Sequence, residues 1–364
     1  MTLDKPAPIQ PIPVFLLTGF LGSGKTSLLN RMLVADGPRT AIIVNEFGDV
    51  PIDNDLVQVD GTTMNLSETS TGCMCCEPGS DIVSTLLRLC EAVDDGQIQP
   101  FERVVVETTG LADPAPIINQ LLMAVHYSIG GRFFTLAGVI ATLDALRGEA
   151  TVEERIVGHK QLAFADRIAL TKSDLLGPDR AERHAGLEAL VARINPSARL
   201  MDIQNPLALP EQLLAPGRYA PDTRGGDVLA WLQAESPLMR AFAPQSSAPI
   251  PGLTRHSGIY TKSMVFDATV TQGELAAFID ILRHAAGRRL LRLKGLVALA
   301  DDPSRPVVLH MVQDVFHPML RLHTWPSIDQ RTRLVLIADG IDEQALESFL
   351  LTLVPKRRRG RATV

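Results

Sequence analysis

Apolar segments alternate with helical segments over the first two hundred residues of the chain. Runs rich in Val, Ile, Leu and Phe have the length and composition of buried strands. They occupy Ile12–Thr18, Thr40–Val44, Arg103–Glu107, Phe133–Ala141 and Arg167–Thr171. Helical stretches such as Lys25–Val34 and Glu182–Ile194 lie between them. This alternation predicts an α/β fold with a doubly wound, mostly parallel sheet that carries helices on both faces.

The pattern changes after residue 204. Residues 205–255 are rich in Pro, Gly and Ser, which is typical of a linker, and contain one short helical piece around Trp231. A smaller α+β domain is predicted to follow, because the order becomes strand, helix, three strands and helix. Its predicted elements are Ile259–Phe266, Gln272–His284, Leu290–Leu299, Pro306–Gln313, Arg333–Ala338 and Asp342–Leu351. We therefore predict domains at residues 1–204 and 256–354, with a basic tail at residues 355–364.

Composition and charge exclude several classes of protein. With 364 residues, 46% of them hydrophobic and 21% charged, the chain is long enough to bury two cores. A net charge of −6 argues against a nucleic-acid partner, since such surfaces need a basic patch to neutralise phosphates. The basic run Lys356–Arg361 is expected to be a solvated tail. We also expect no membrane partner and no secretion signal, because no apolar run of about 18 residues and no basic leader are present.

Cysteine usage indicates a reducing compartment. Three of the four cysteines are packed into Cys73-Met74-Cys75-Cys76, unlike the spread-out framework of a disulfide-stapled secreted domain. We therefore expect a cytoplasmic protein with reduced thiols. Cys90 lies on an apolar helical stretch and is expected to be buried in the core.

The first predicted strand runs into a glycine-rich segment that has the form G-x-x-x-x-G-K-[ST] of a phosphate-binding loop. The glycines let backbone N–H groups converge on phosphates, and the following helix adds its positive dipole. Lys25 is suited to the β and γ oxygens of a nucleotide, and Thr26 offers a hydroxyl to magnesium. The predicted phosphate-binding residues are Gly19, Gly22, Ser23, Gly24, Lys25, Thr26 and Ser27.

A second nucleotide motif ends a later strand. Thr171-Lys172-Ser173-Asp174 has the form [NT]-K-x-D found in GTPases, although a strand that ends in a polar helix cap would look similar. A carboxylate at Asp174 can accept both the N1–H and the N2–H of guanine, which adenine does not present together. Following a phosphate loop, the segment predicts GTP, bound by Thr171, Lys172 and Asp174.

Between these motifs, a third apolar strand delivers a carboxylate and then a glycine to the carboxyl edge of the sheet, where ligands of such folds bind. Glu107 is placed to act on magnesium through water or to orient the attacking water. Gly110 has no Cβ, so its N–H can approach the γ-phosphate. Lys25, Glu107 and Gly110 are therefore the candidate catalytic residues, with Thr26 and Glu107 at magnesium. The alternative is that Glu107 is a surface charge at a strand end.

The clustered thiols form an incomplete metal site. In an extended segment Cys73 and Cys75 project to one face and Cys76 to the other, so the segment cannot close a tetrahedral site alone. Oxygen ligands are expected from the loop after the second strand, which contains Glu46 and lies where switch I of a GTPase senses the γ-phosphate. Soft thiolates with a carboxylate favour zinc, with cobalt as the alternative. A redox pair and inert buried cysteines remain as other interpretations.

Three histidines of the second domain, His310, His317 and His323, lie in a mixed polar stretch without tight pairing. We expect them to be surface or hydrogen-bonded residues rather than metal ligands.

With these motifs, the chain resembles the CobW-like family of P-loop GTPases, which act as metal chaperones or metallocentre assembly factors. The matching segments occur in the family's order and at similar spacings. In the first domain they are Gly19–Thr26, Asn45–Gly48, Gly72–Cys76, Glu107–Pro114 and Thr171–Asp174. In the second domain, Leu291–Gly295 is similar to the family's R-x-K-G strand and Arg331–Ile337 to its final apolar strand.

The resemblance implies that Cys73, Cys75 and Cys76 bind the ion with Glu46 nearby, and that slow GTP hydrolysis gates delivery. It also implies that the second domain handles partners. Two departures qualify it. Position 49 is Asp where many relatives have Glu, and the linker lacks the His-rich stretch of some members.

We therefore predict a GTP-dependent zinc chaperone whose partners are GTP, a divalent metal ion and a client apo-metalloenzyme. GTP and magnesium would order the switch loop and tighten the metal site, and hydrolysis in a complex with the client would loosen it. One alternative is a cobalt or iron insertase for a specific metalloenzyme or cobalamin pathway. Others are a redox-controlled signalling GTPase and a small-molecule P-loop kinase, the latter disfavoured by Thr171–Asp174.

Overall fold

The computed structural model describes two compact units, the first with residues 1–188 and 199–223 and the second with residues 189–198 and 224–364. The described residues are 11–34, 38–45, 58–59, 62–63, 82–124, 128–205, 210–215, 258–316, 319–325 and 328–354. The helical piece predicted around Trp231 and the basic tail lie outside them. The boundaries predicted near residues 204 and 255 stay predictions, because the residues that would join the units fall largely outside the described part.

The first unit is built on a six-stranded parallel sheet. In chain order the strands are β1 (Ile12–Gly19), β2 (Thr40–Asn45), β3 (Gln58–Val59), β4 (Thr62–Thr63), β5 (Arg103–Thr108), β6 (Phe134–Asp144), β7 (Arg167–Thr171) and β8 (Arg199–Asp202). The sheet order is β2-β5-β1-β6-β7-β8, and β3 pairs with β4 separately. Strands are added on both sides of β1, so its carboxyl end is a topological switch point of the kind where α/β proteins bind ligands.

Helices accompany these strands as a parallel sheet requires. They are α1 (Lys25–Val34), α2 (Ile82–Asp94), α3 (Ala115–Ala124), α4 (Gly148–Glu154), α5 (Ile156–Phe164), α6 (Arg180–Ile194) and α7 (Pro210–Leu213). Every residue of β5 and β6 is buried, which accounts for the apolar runs Val104–Val106 and Leu136–Ala141 within them. The predicted α/β fold is confirmed. Strand β6 runs beyond its predicted end at Ala141 to Asp144, because Thr142 pairs with β1 and Asp144 with β7.

The second unit is a separate α+β structure, as predicted. Its strands are β9 (Ile259–Phe266), β10 (Leu290–Val297), β11 (Val307–Val312), β12 (Val315–Phe316), β13 (Leu320–Arg321) and β14 (Thr332–Asp339). They form an antiparallel sheet in the order β12-β11-β10-β14-β9, with β13 beside β11. Helices α8 (Gln272–Ala285) and α9 (Glu343–Leu353) pack on one sheet face, where Phe278 and Leu350 join Leu293 and Leu336 in the core. No helix in the described parts of the chain is long and apolar enough to cross a membrane.

Helix α8 begins with a reciprocal cap. The hydroxyl of Thr271 accepts a hydrogen bond from the Glu274 N–H (3.2 Å), and the Glu274 carboxylate accepts from the Thr271 N–H (2.8 Å). The N–H and hydroxyl of Thr271 together hold the pKa of Glu274 below its ordinary value. The sequence Thr-Gln-Gly-Glu is thus a capping box, which satisfies two backbone donors that a helix start leaves unpaired.

We expect Thr271→Ala to lower the free energy of unfolding of the second unit by about 1 kcal/mol, because the Glu274 N–H loses its acceptor. Thr352→Ala is a matched control on α9, where the hydroxyl donates to the Phe349 carbonyl (2.6 Å) and alanine is the better helix former. Urea unfolding of the full chain measures both. An equal loss in the two variants would contradict the capping role.

Candidate functional site

The glycine-rich segment Gly19–Thr26 forms a tight loop between β1 and α1. Gly19, Gly22 and Gly24 have φ angles of 142°, 72° and 93°, a region that residues with a Cβ rarely adopt. The Ser23 N–H donates to the Phe20 carbonyl at 3.1 Å and closes the turn. The glycines are therefore needed for the path of the backbone, as the phosphate-loop motif predicts.

Lys25 lies against this loop. The side chain is only 8% exposed. Its Nζ donates to the carbonyl oxygen of Gly19 at 2.9 Å and to that of Phe20 at 3.4 Å. The ammonium is therefore held at the loop that is predicted to bind phosphate. Ser27, which is also predicted to bind phosphate, is exposed on the first turn of α1.

Thr26 and Glu107 meet at the carboxyl edge of the sheet. The Thr26 hydroxyl donates to the Glu107 carboxylate at 3.4 Å. Glu107 is buried, which argues against the alternative of a simple surface charge. A hydroxyl beside a carboxylate is a set of hard oxygen donors, which suits Mg²⁺. The structure thus brings together the two residues predicted to act at magnesium.

Gly110 packs directly on the phosphate loop. A Cβ built at this position would lie 2.6 Å from the backbone nitrogen and 2.8 Å from the Cα of Leu21. Real Cβ atoms do not approach backbone so closely, so only glycine fits without displacing the loop. The loop after β5 and the phosphate loop are therefore in contact.

Besides the phosphate loop, helix α5 also contacts the loop after β5. Nε2 of the buried Gln161 donates to the carbonyl oxygens of Gly110 and Ala112, both at 3.2 Å. The neighbouring Lys160 forms an ion pair with Asp113 at 3.4 Å. Two consecutive residues of α5 thus fix the residues that follow Glu107.

The predicted guanine segment is bonded to the phosphate loop. The Thr171 hydroxyl, at the end of β7, donates to the Ser23 carbonyl at 2.7 Å. Nζ of Lys172 donates to the Gly22 carbonyl at 2.7 Å. The base and phosphate halves of the predicted site are therefore one connected structure.

Asp174 lies exposed in a short 3₁₀ helix, Ser173–Leu175, where its carboxylate is accessible to a ligand. The preceding Ser173 is anchored, because its hydroxyl donates to Asp202 at 2.6 Å. Burial raises the pKa of Asp202, but the Ser173 hydroxyl, the Gln204 N–H and the Arg180 guanidinium outweigh burial and hold the pKa below its ordinary value. Asp202 is therefore a charged anchor for the segment that carries Asp174.

A layer of buried hydroxyls supports the phosphate loop from within the sheet. The Thr108 hydroxyl donates to that of Thr18 at 3.0 Å, and Thr142 donates to the Thr18 carbonyl at 3.4 Å. The hydroxyls of Thr142 and Ser23 lie 2.5 Å apart. Thr108 is the last residue of β5, Thr18 and Thr142 lie within two residues of the ends of β1 and β6, and Ser23 lies in the loop itself. One layer of hydroxyls therefore connects the carboxyl ends of three strands to the loop.

The predicted metal ligands Cys73, Cys75, Cys76 and Glu46 lie outside the described residues. Within the described part of the chain, no three His, Cys, Asp or Glu side chains are grouped to hold a metal ion.

Cys90 is buried in the core, as expected, and two of the three histidines fall among the described residues. Cys90 is buried on α2, where its Sγ lies 3.5 Å from the Ile129 carbonyl. Burial raises the pKa of this thiol. His310 is buried and His323 is exposed, whereas His317 lies outside the described residues.

Sequence analysis missed several residues at this site. Gln161, Thr142, Asp144 and Asp202 belong to no motif, and Thr142 and Asp144 lie beyond the predicted strand end at Ala141. A polar residue in a buried element is a signal that could have found Gln161 and Thr142, because buried polar groups are nearly always bonded. Their partners could not be read from the sequence.

We expect Gly110→Ala to slow GTP hydrolysis, because the added methyl group must displace the backbone at Leu21. Overpacking costs of about 1–3 kcal/mol correspond to a loss of roughly 5- to 150-fold in rate if they fall on the transition state. Gly186→Ala on α6 is the matched control, since a Cβ there meets nothing within 4 Å. Single-turnover hydrolysis measures both, and a wild-type rate in Gly110→Ala would show that the two loops need not touch.

Comparison with known proteins follows the same division of the chain. The family model "CobW/HypB/UreG, nucleotide-binding domain" matches residues 13–202, and "Cobalamin synthesis protein cobW C-terminal domain" matches residues 259–354. The zinc chaperone YjiA of Escherichia coli is 40% identical over 300 residues, which are 82% of this chain and 85% of YjiA. The zinc chaperone CobW of a Sinorhizobium species is 28% identical over 379 residues, covering 94% of this chain and 97% of the relative.

A solved structure shows the same similarity. The crystal structure of the Zn(II)-bound YjiA GTPase from E. coli superposes with a TM-score of 0.65, covering 95% of this chain and 100% of YjiA. The identity in that longer structural alignment is 27%. With its nucleotide-binding and C-terminal domains both matched, the chain belongs to the CobW/HypB/UreG family.

Proposed function

We propose that this protein is a GTPase that binds zinc and delivers it to client apo-metalloenzymes. The observation that carries the proposal is the convergence of Lys25, Thr26, Glu107 and Lys172 at one sheet edge. The relatives named as zinc chaperones supply the identity of the cargo. The proposal places the protein in the cytosol, where clustered thiols stay reduced.

The phosphate side of the proposed site has a residue for each task. Lys25 neutralises the β and γ oxygens, and the Gly110 N–H stabilises the charge that develops on the γ-phosphate. Thr26 and Glu107 would hold Mg²⁺, which when bound neutralises charge on the phosphates. Glu107 also orients the attacking water. The contact of Gly110 with Leu21 supports these roles, because it keeps the loop after β5 against the phosphate loop.

The base side reads guanine. Asp174 accepts hydrogen bonds from two guanine donors, while Thr171 and Lys172 join this segment to the phosphate loop. Asp202 fixes the turn through Ser173.

Zinc is the cargo in this proposal, bound by Cys73, Cys75 and Cys76 with Glu46. Three thiolates leave a site that one oxygen ligand completes and can also release. Glu46 follows Asn45, whose backbone pairs with Thr108 of β5 directly after Glu107. A change at the γ-phosphate is therefore expected to reach the metal ligands, so that GTP tightens the zinc site and hydrolysis loosens it.

We expect Asp174→Ala to lower the preference for GTP over ATP by roughly 10- to 100-fold, since a site loses discrimination when the acceptor for two donors is removed. Asp179→Ala is the matched control, because Asp179 is an exposed carboxylate in the next 3₁₀ helix. Competition binding with both nucleotides measures the preference. An unchanged ratio in Asp174→Ala would show that the base is read elsewhere.

The chaperone cycle itself predicts that zinc binds more tightly with Mg²⁺ and a non-hydrolysable GTP analogue than with GDP. Typical coupling energies of about 1–3 kcal/mol correspond to a gain of roughly 5- to 150-fold. By reciprocity, zinc must raise the affinity for the GTP analogue by the same factor. Competition with a zinc chelator in each nucleotide state measures the effect.

The double variant Cys73→Ser with Cys75→Ser should remove both effects, whereas Cys90→Ala, which removes a buried thiol, should keep the coupling. Equal zinc affinity in both nucleotide states would refute the cycle. Preferential binding of cobalt or iron in the same titration would favour an insertase. Reversible oxidation of the clustered thiols by peroxide, with no effect of zinc, would favour a redox-controlled GTPase.

A further inference from the structure

Asp144, the last residue of β6, belongs to neither nucleotide motif but forms a partly buried ion pair with Lys172. Its Oδ2 lies 2.7 Å from Nζ of Lys172, and the aspartate side chain is only 10% exposed. Its other oxygen, Oδ1, accepts from the N–H groups of Leu146 (2.7 Å) and Arg147 (3.3 Å). The two carboxylate oxygens thus have separate partners: one caps the local turn and the other holds Lys172.

Lys172 is held in an unusual conformation by contacts at both of its ends. Its φ angle is 57°, in the left-handed region that costs a residue with a Cβ about 1–2 kcal/mol. At the far end, Nζ donates to the Gly22 carbonyl and to Asp144, both at 2.7 Å. Backbone strain that persists in a native structure is often associated with function. The side chain therefore stretches from the guanine segment to the phosphate loop.

This arrangement gives Lys25 and Lys172 different partners, although both lie near the proposed site of the triphosphate. Lys25 contacts the loop at Gly19 and Phe20, on the phosphate side. The ammonium of Lys172 would also be attracted to phosphate if nothing else neutralised it. Asp144 supplies a fixed negative charge instead, so the ammonium stays at Gly22 and the four-carbon stem remains extended. Such a stem presents an apolar surface on which a flat purine can lie.

We propose that Asp144 is a positioning residue for purine recognition, which keeps Lys172 extended along the phosphate loop and away from the nucleotide phosphates. The inference rests on the proposed GTP site. It predicts that Asp144 contributes to the affinity for the guanine base and not to the affinity for the phosphates.

Asp144→Asn separates the two tasks of this side chain. The amide oxygen of asparagine can still accept from Leu146 and Arg147, whereas the negative charge beside Lys172 is lost. Asp144→Ser is a second variant, because serine also caps turns without carrying a charge. Asp94→Asn is the matched control. It removes the charge from another 2.7 Å ion pair, which Asp94 forms with Arg132. Asp94 is the last residue of α2, from which the chain enters β5 at the amino edge of the sheet.

The experiment measures the affinity of the full chain for a non-hydrolysable GTP analogue and for inorganic tripolyphosphate, which has no base. We expect Asp144→Asn and Asp144→Ser to weaken the GTP analogue by roughly 3- to 10-fold, a modest effect because Lys172 is partly exposed. Tripolyphosphate should bind as tightly as in the wild type or more tightly, since the released ammonium can reach phosphate. Asp94→Asn should change neither affinity.

A double-variant comparison tests whether Asp144 acts through Lys172. Lys172→Met should weaken the GTP analogue, and adding Asp144→Asn to Lys172→Met should weaken it no further. Additive losses, equal losses for both ligands, or wild-type affinity in Asp144→Asn and Asp144→Ser would each overturn the inference while leaving the GTP site in place. A wild-type chain that binds tripolyphosphate but prefers no guanine nucleotide would overturn the proposed function, and the inference with it.

Discussion

The hydrogen bond from the Thr171 hydroxyl to the Ser23 carbonyl, 2.7 Å long, joins the two segments on which the proposed nucleotide site depends. A trans peptide places its C=O and N–H on opposite sides, so fastening the Ser23 carbonyl to the end of β7 turns the Gly24 N–H away from that strand. Lys172 fastens the Gly22 carbonyl in the same way, and the Ser23 N–H turns back to Phe20. The directions of the Gly24 and Ser23 N–H groups are therefore set by the side chains of Thr171, at the end of β7, and Lys172, which follows it.

The two sides of the proposed site are held by contacts of different length. On the base side, an ion pair and short hydrogen bonds connect Lys172 to Asp144 and to the phosphate loop. On the side proposed for the γ-phosphate, Gly110 packs on Leu21, and the contacts of its loop are longer. Gln161 donates to the Gly110 and Ala112 carbonyls at 3.2 Å, and the Lys160–Asp113 ion pair is 3.4 Å long. A guanine base is common to GTP and GDP, so a fixed base side suits both states. The loop that we propose to sense the γ-phosphate has to respond to its loss, and the greater length of its contacts fits that requirement.

Much of this architecture was predictable, because strand composition and motif spacing are local properties of the sequence. The bounds of β9 and the start of α8 were predicted to the residue. Asp144 and Gln161 could not be predicted, since their partners lie 28 and 51 residues away and no periodicity relates them. The end of β6 was placed too early for a similar reason: polar Thr142 and Asp144 look like a loop until β1 and β7 provide their partners. The roles of Cys73, Cys75, Cys76 and Glu46 stay predictions.

The chain connections of the described residues are consistent with the proposed coupling between metal and nucleotide. Glu46 directly follows β2, and β2 pairs with β5 so that Val44 lies opposite Glu107. The thiol segment leads into α2, whose first N–H, at Ile82, donates to Gln120 of α3 at 3.2 Å. Helix α3 begins where the loop after β5 ends, and Asp113 of that loop accepts from the Ala115 N–H at 3.0 Å. Both sets of predicted metal ligands therefore adjoin elements attached to the loop that carries Glu107 and Gly110. Among the described residues, that loop is joined to β2 by a strand pair and to α2 through one contact with α3, and these are the connections that the proposed coupling would use.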